Sequence, residues 1–194
     1  MGKIFYMMGK SSSGKDTIYQ RIQELDLGLK TVVPYTTRPI REGEVDGETY
    51  FFVSEEDVTR LREAGKIVEL RDYATVHGSW KYFTVDDGQI CLAEQDTLMI
   101  GTLEGYEKIA EYFGKENVFP IYIEVETGER LQRALNREKK QAQPKYAEMC
   151  RRFLADEEDF REERILACGI SKRYQNVDLE SCVREIREDI LRTR

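Results

Sequence analysis

Nine small and polar residues, Gly9-Lys10-Ser11-Ser12-Ser13-Gly14-Lys15-Asp16-Thr17, follow the apolar run Ile4-Phe5-Tyr6-Met7-Met8 and lead into Thr17-Ile18-Tyr19-Gln20-Arg21-Ile22, which has helical spacing. A buried strand, a glycine-bounded loop and a helix start form the context of a phosphate-binding P-loop. Glycines let the chain curl until successive backbone N–H groups face inward, and the helix N-terminus adds partial positive charge. Lys15 can then reach the β- and γ-phosphates, so Gly9 to Thr17 is the expected nucleotide-phosphate site. The Ser or Thr that ordinarily follows the lysine and meets Mg²⁺ is replaced by Asp16, with Thr17 one place later. Both are candidate metal contacts.

The remainder of the chain reads as one α/β domain. It has 194 residues, enough for a single core and few for two. Apolar residues following Gly65, Gln95 and Glu116 form strand-like runs: Ile67 to Leu70, Asp96 to Thr102, and Asn117 to Val125. Helical patterns occupy Lys15 to about Glu24, Leu103 to Phe113 and the residues after Thr127. Strands alternating with helices predict a parallel sheet with crossover helices, a three-layer α/β/α fold. Ser54, with Asp57 three residues on, predicts a helix N-cap. The aromatic, turn-rich segment Asp72 to Thr84 reads as a binding loop, with His77 as a surface histidine. Glu138 to Lys145 reads as a mobile, exposed connection, followed by a helix from Glu148 to Glu163. A closing helix is expected from Glu180 to Leu191.

Charge and cysteine content exclude several functions. A net charge of −7 argues against general nucleic-acid binding, which needs a basic face. Cys91, Cys150, Cys168 and Cys182 lack CxxC spacing and stand beside a single histidine, which argues against zinc. They are expected as reduced core residues of a cytoplasmic protein. Neither a signal peptide nor a transmembrane stretch is expected, and no membrane partner.

Arginines recur where an anion could be held. Arg38 and Arg41 lie three apart on a loop, where two guanidinium forks can converge on one phosphate. Arg133 and Arg137 lie four apart on one helix face, and Arg151 and Arg152 follow the polar connection. This is the composition expected of a lid that closes over a triphosphate.

With the P-loop, the segment Thr36-Thr37-Arg38-Pro39-Ile40-Arg41-Glu42-Gly43-Glu44-Val45-Asp46-Gly47-Glu48-Thr49-Tyr50-Phe51-Phe52-Val53 and the C-terminal Asn176-Val177-Asp178-Leu179, the chain resembles the guanylate kinases, P-loop nucleoside monophosphate kinases. The resemblance implies a parallel core of about residues 1–31, 86–126 and 151–194, a small β-rich monophosphate-binding subdomain at about 32–85, and a helical lid at about 127–150. It implies ATP-dependent, Mg²⁺-assisted phosphorylation of GMP and dGMP, with ATP and GMP as the small-molecule partners of a monomer or weak homodimer. By the same resemblance, Arg38, Arg41, Tyr50 and Tyr82 hold the acceptor phosphate, while Glu69, Thr84 and Thr102 face the guanine. Lys15, Arg38, Arg133, Arg137 and Arg152 are the implied catalytic set.

Two departures are visible: Pro34 replaces the family's serine, and Thr102 its aspartate. They keep a second acceptor, such as ribose 1,5-bisphosphate, in view. A non-catalytic phosphopeptide-binding module of the same fold is a third reading, disfavoured because Lys15 and the lid arginines remain.

Overall fold

The computed structural model describes residues 1–41, 43–75 and 78–194. Every residue of β1 (Ile4–Met8) is buried, as expected of an uninterrupted apolar run at the centre of a parallel sheet. It pairs in parallel with β7 (Thr97–Gly101) on one side and β8 (Val118–Glu124) on the other. β2 (Lys30–Thr31) and β9 (Tyr174–Gln175) complete the order β2-β7-β1-β8-β9.

Alternation along β1 divides the core between its two faces. Ile4, Tyr6 and Met8 pack with Leu103, Tyr106 and Ile109 of α3 (Leu103–Phe113) and with Ile165 of α6 (Glu162–Ala167). Phe5 and Met7 pack with Ile18 and Ile22 of α1 (Lys15–Glu24) and with Val183, Ile186 and Ile190 of α7 (Leu179–Thr193). This is the expected three-layer α/β/α arrangement.

A second sheet is inserted between β2 and β7. Its order is β4-β3-β6-β5, from β3 (Tyr35–Thr36), β4 (Phe51–Phe52), β5 (Ile67–Thr75) and β6 (Gly78–Val85). α2 (Glu55–Glu63) packs on it, and Ser54 and Asp57 form the reciprocal capping box expected from their spacing. Asp72 to Thr84 is not an irregular loop: its described residues belong to an antiparallel pair, with Glu69 opposite Thr84 and Arg71 opposite Tyr82. Aromatic and β-branched content favours strands, and that signal outweighs the turn residues. His77 lies outside the described residues.

α4 (Thr127–Lys139) and α5 (Tyr146–Asp159) form a helical pair after β8. Here Glu138 corrects the expectation of an exposed connection. It is the last buried residue of α4, and its carboxylate accepts the Lys145 backbone N–H, capping the far side of the turn. The helix expected to run to Glu163 breaks at Phe160, and α6 begins at Glu162. Of the cysteines, Cys168 and Cys182 are buried, Cys91 is half-buried, and Cys150 is exposed rather than in the core. No helix among the described residues is long and apolar enough to cross a membrane.

Candidate active site

The P-loop leaves the C-terminal end of β1, and the turn after β7 places Thr102 at the same edge, the usual ligand crevice of a parallel sheet. Gly14 has φ of +87° immediately before α1, a conformation that favours glycine. A side chain there would also collide with the Asn176 amide. That amide, buried, donates to the Ser13 carbonyl at 2.8 Å and pins the loop from the C-terminal segment.

A cavity of about 540 Å³ opens between the two sheets. Lys15 and Asp16 line one end, Tyr50 and Tyr82 another wall, and Glu69, Arg71, Thr84 and Thr102 further surfaces. Lys15 Nζ lies 3.3 Å from Asp16 Oδ2. Asp16 is exposed and borders the cavity, whereas Thr17 is exposed and does not. Among the described residues, no three His, Cys, Asp or Glu side chains cluster. Mg²⁺ is commonly held by one or two carboxylates together with substrate phosphates. Asp16 therefore fits such an ion as a single hard oxygen donor.

Arg38 is buried, and its fork is closed on Glu44 at 2.7 and 2.6 Å. The guanidinium lies 5.1 Å from the Tyr50 ring centre, and the Tyr50 and Tyr82 rings meet edge-on at 5.7 Å. Hydrogen bonding to Arg38 holds the Glu44 carboxyl down at about 2. The Arg41 side chain is exposed, and its backbone N–H also donates to Glu44. One carboxylate thus organises the loop that carries both arginines.

Glu69 is buried on the same wall as Thr84, whose hydroxyl donates to Glu69 Oε1 at 2.9 Å. Arg71 Nε and Nη2 donate to Glu69 Oε2 and Oε1 at 3.0 and 3.3 Å. Burial disfavours the Arg71 charge, but Glu69 together with the Tyr6 and Tyr73 hydroxyls outweighs it and the arginine pKa is raised. Thr102 caps α3, its oxygen accepting the Gly105 N–H at 3.1 Å.

The arginines of α4 and α5 gather only in part. Arg137 and Arg152 come together with Ser11 and Ser12 around a small gap. Arg133 instead turns to Glu129 and to the Asn176 carbonyl, 3.0 Å from each. The buried cation beside the P-loop is Arg130, to which the sequence reading gave no role. It donates to the Ser11 carbonyl at 3.3 Å, pairs with Asp156 and Glu157, and stacks 3.9 Å from the Phe153 ring centre. Asp156 in turn accepts the Ser11 N–H at 2.8 Å. The signal available in sequence was its place on the face of Ala134 and Glu138, which runs at a four-residue spacing. Arg71 was equally legible, two residues from Glu69 on one strand face.

A protein-family model described as guanylate kinase matches residues 1–166. The chain belongs to the guanylate kinase family. It is 34% identical over 156 residues to a guanylate kinase of Caldanaerobacter subterraneus subsp. tengcongensis, covering 78% of this chain and 70% of that one. Identity is 32% over 133 residues to guanylate kinase 2, chloroplastic/mitochondrial, of Oryza sativa subsp. japonica, covering 68% of this chain and 45% of the relative. With the guanylate kinase of Agrobacterium fabrum the match covers 60% of the relative's length, so two of these three relatives are spanned for less than two thirds. A crystal structure of guanylate kinase from Anaplasma phagocytophilum superposes with a TM-score of 0.66 at 23% identity, covering 98% of this chain and 85% of that chain. At that identity the likeness establishes the fold. Arg38 and Arg41 do not themselves line the cavity; Tyr50, stacked against Arg38, does.

Proposed function

We propose that the chain transfers the γ-phosphoryl group of ATP to the phosphate of GMP or dGMP, giving ADP and the nucleoside diphosphate. The observation that carries this reading is the shared cavity: Lys15 and Asp16 of the P-loop and the Glu69–Thr84 pair line the same space. A phosphoryl donor on Gly9 to Thr17 and an acceptor between Tyr50, Tyr82 and Glu69 would therefore meet inside it.

In this reading Lys15 neutralises the donor's outer phosphates, and Arg137 and Arg152 approach from α4 and α5. Arg133 would join them when the lid closes, exchanging its contact with Asn176 for the phosphates. Arg38, Arg41, Tyr50 and Tyr82 orient the acceptor phosphate for in-line attack. Positioning and charge neutralisation account for most catalysis in such transfers, which require no covalent intermediate. Mg²⁺ bound with ATP would supply further neutralisation, with Asp16 as its protein contact.

The small sheet acts as the monophosphate-binding subdomain, and α4 with the start of α5 as the lid. The residues named in this reading all lie on one chain, in keeping with a monomer or weak homodimer. Free cysteines suit a reducing compartment, the cytoplasm.

The test is ADP release with ATP and Mg²⁺ against GMP, dGMP, AMP, UMP, CMP and ribose 1,5-bisphosphate. Turnover with GMP and dGMP is expected. Turnover confined to the other acceptors would refute the reading. Glu69→Gln should raise the KM for GMP about 10–100-fold and that for ATP by less than about threefold, as expected for loss of a buried hydrogen-bond acceptor. Equal rises in both would remove Glu69 from base recognition.

A further inference from the structure

Tyr6 brings a phenol to the floor of the cavity. It is the one residue of β1 with a hydroxyl. The side chain is 2% exposed, lies on the α3 side of the sheet and meets the Tyr106 ring edge-on at 5.8 Å. Together with Gly101 and Thr102 it borders the cavity.

Two glycines make room for the phenol oxygen. A Cβ on Gly101 or on Gly105 would collide with it. Neither glycine has a positive φ, so clearance for Tyr6, rather than backbone freedom, is what the missing side chains provide. From the end of β7, the Thr102 backbone N–H donates to the Tyr6 oxygen. That contact occupies a lone pair and leaves the hydroxyl's own proton to be placed. Burial raises the phenol pKa, so the proton stays on through the neutral range.

No acceptor among the described residues takes that proton. Oxygens around it are already engaged: Glu69 with Thr84 and Arg71, and the Thr102 hydroxyl with the Gly105 N–H. Other tyrosines show the ordinary outcome. Tyr19, on the same cavity, donates to the Leu98 carbonyl at 3.3 Å, and Tyr174 in the core donates to Asp189 at 2.7 Å. A buried donor left without a partner is costly, and buried phenols ordinarily find one. A ligand in the cavity supplies it.

We propose that Tyr6 is a substrate-binding, specificity-determining residue: its hydroxyl, held by Thr102 in the space left by Gly101 and Gly105, donates a hydrogen bond to a ring nitrogen or carbonyl oxygen of the purine of the monophosphate substrate. The inference rests on the proposed monophosphate kinase activity and adds a contact to it. The free enzyme carries an unsatisfied donor, and the purine satisfies it. A ring with C–H in place of that atom leaves the phenol unpaired and is disfavoured.

Tyr6→Phe removes one oxygen and keeps the ring against Tyr106. The experiment measures kcat/KM for GMP, 7-deaza-GMP, 3-deaza-GMP and 6-thio-GMP, and the KM for ATP, in the wild type and in Tyr6→Phe. Each analogue alters one candidate atom of the purine: N7, N3 or O6. Tyr6→Phe should lower kcat/KM for GMP about 3–10-fold, the range for one neutral hydrogen bond, and leave the KM for ATP within about twofold. For one of the three analogues the substitution should change kcat/KM by less than about twofold, because the bond is already absent. Without ligand, the variant should melt at or above the wild-type temperature, since the unsatisfied hydroxyl is gone. GMP should nevertheless raise its melting temperature less than it raises that of the wild type.

Unchanged kcat/KM for GMP in Tyr6→Phe would overturn the proposal. So would an equal loss with GMP and all three analogues, or an equal rise in the KM for ATP, since either marks a structural role. A ligand-free variant melting well below the wild type would show that the hydroxyl already has a partner in the protein, and would overturn it too. A wild type inactive on GMP, yet turning over a different acceptor, would instead refute the underlying assignment of the reaction.

Discussion

Replacing Arg130 with methionine tests whether the P-loop is held from outside by α4 and α5. Methionine preserves much of the side-chain length and apolar contact with Phe153 while removing the cation. The Arg130 side chain is 1% exposed, Asp156 17% and Glu157 37%. Removing one partner of a fully buried ion pair costs about 3–5 kcal/mol. Here both carboxylates retain some water, and Lys10 still reaches Glu157 at 3.0 Å. A loss of about 2–3 kcal/mol is therefore expected, discounted for solvent screening. At about 2–4 °C per kcal/mol for a chain of this size, the melting temperature should fall by roughly 5–10 °C. Thermal denaturation followed by circular dichroism measures it. Because Arg130 and Asp156 hold the Ser11 carbonyl and N–H, the KM for ATP should rise several-fold while that for GMP changes little. Adding Asp156→Asn to the methionine variant removes the carboxylate that has lost its cation and should recover part of the lost stability. A melting shift below about 2 °C, or equal effects on both KM values, would refute the idea that this cation braces the loop.

Three further outcomes are expected. Gly14→Ala forces a side chain into positive φ and against the Asn176 amide. It should lower stability by about 1–3 kcal/mol and weaken ATP binding, read by urea denaturation and nucleotide titration. Glu44 has a folded pKa depressed below its unfolded value of 4.5 to about 2, so its contribution is full above pH 4.5 and disappears as pH falls towards 2. Urea denaturation across that interval should show a shallower acid loss in Glu44→Gln than in the wild type; parallel curves would remove Glu44 from the acid response. Ser54→Ala removes the α2 cap and should cost about 1 kcal/mol in the same denaturation assay, with the KM for ATP unchanged.

Much of this arrangement was written in local sequence. Ile4 to Met8 had to be a buried strand because nothing polar interrupts it, and Gly14 had to be followed by a helix because the loop's amides need a helix start. Ser54 and Asp57 encode their capping box by spacing alone, and α3 runs from Leu103 to Phe113 as its periodicity predicts. The less legible features depend on partners distant in sequence. Leu29 to Tyr35 reads as one apolar stretch, yet its ends join different sheets, a division made by pairing with β7 and β6. Arg133 and Arg137 share a helix face on paper, but Arg133 is drawn away by the Asn176 carbonyl, which arrives from 43 residues further along the chain. Arg130 resembles any helical surface arginine until α5 brings Asp156 and Glu157 against it. Arg71 falls between the expected strand Ile67 to Leu70 and the expected loop from Asp72, so its place on β5 opposite Tyr82 shows only in the pairing.

The inserted sheet has one more consequence. Its core is small: Val58, Phe83 and Val85 are its buried apolar side chains, with residues such as Tyr35, Leu61 and Leu70 only partly covered. The parallel sheet is covered on both faces by far larger clusters. Regions with little buried apolar surface open at lower free energy than the global unfolding. Amide hydrogen exchange should therefore be fastest in β3 to β6 among the sheet strands, while β1 exchanges only with global unfolding. The inserted sheet is then the part of the molecule least able to hold itself closed. In the proposed reaction, an acceptor bound against this sheet would supply the missing cohesion. Under the proposed function, acceptor choice would become a question of which ligand completes a thin core.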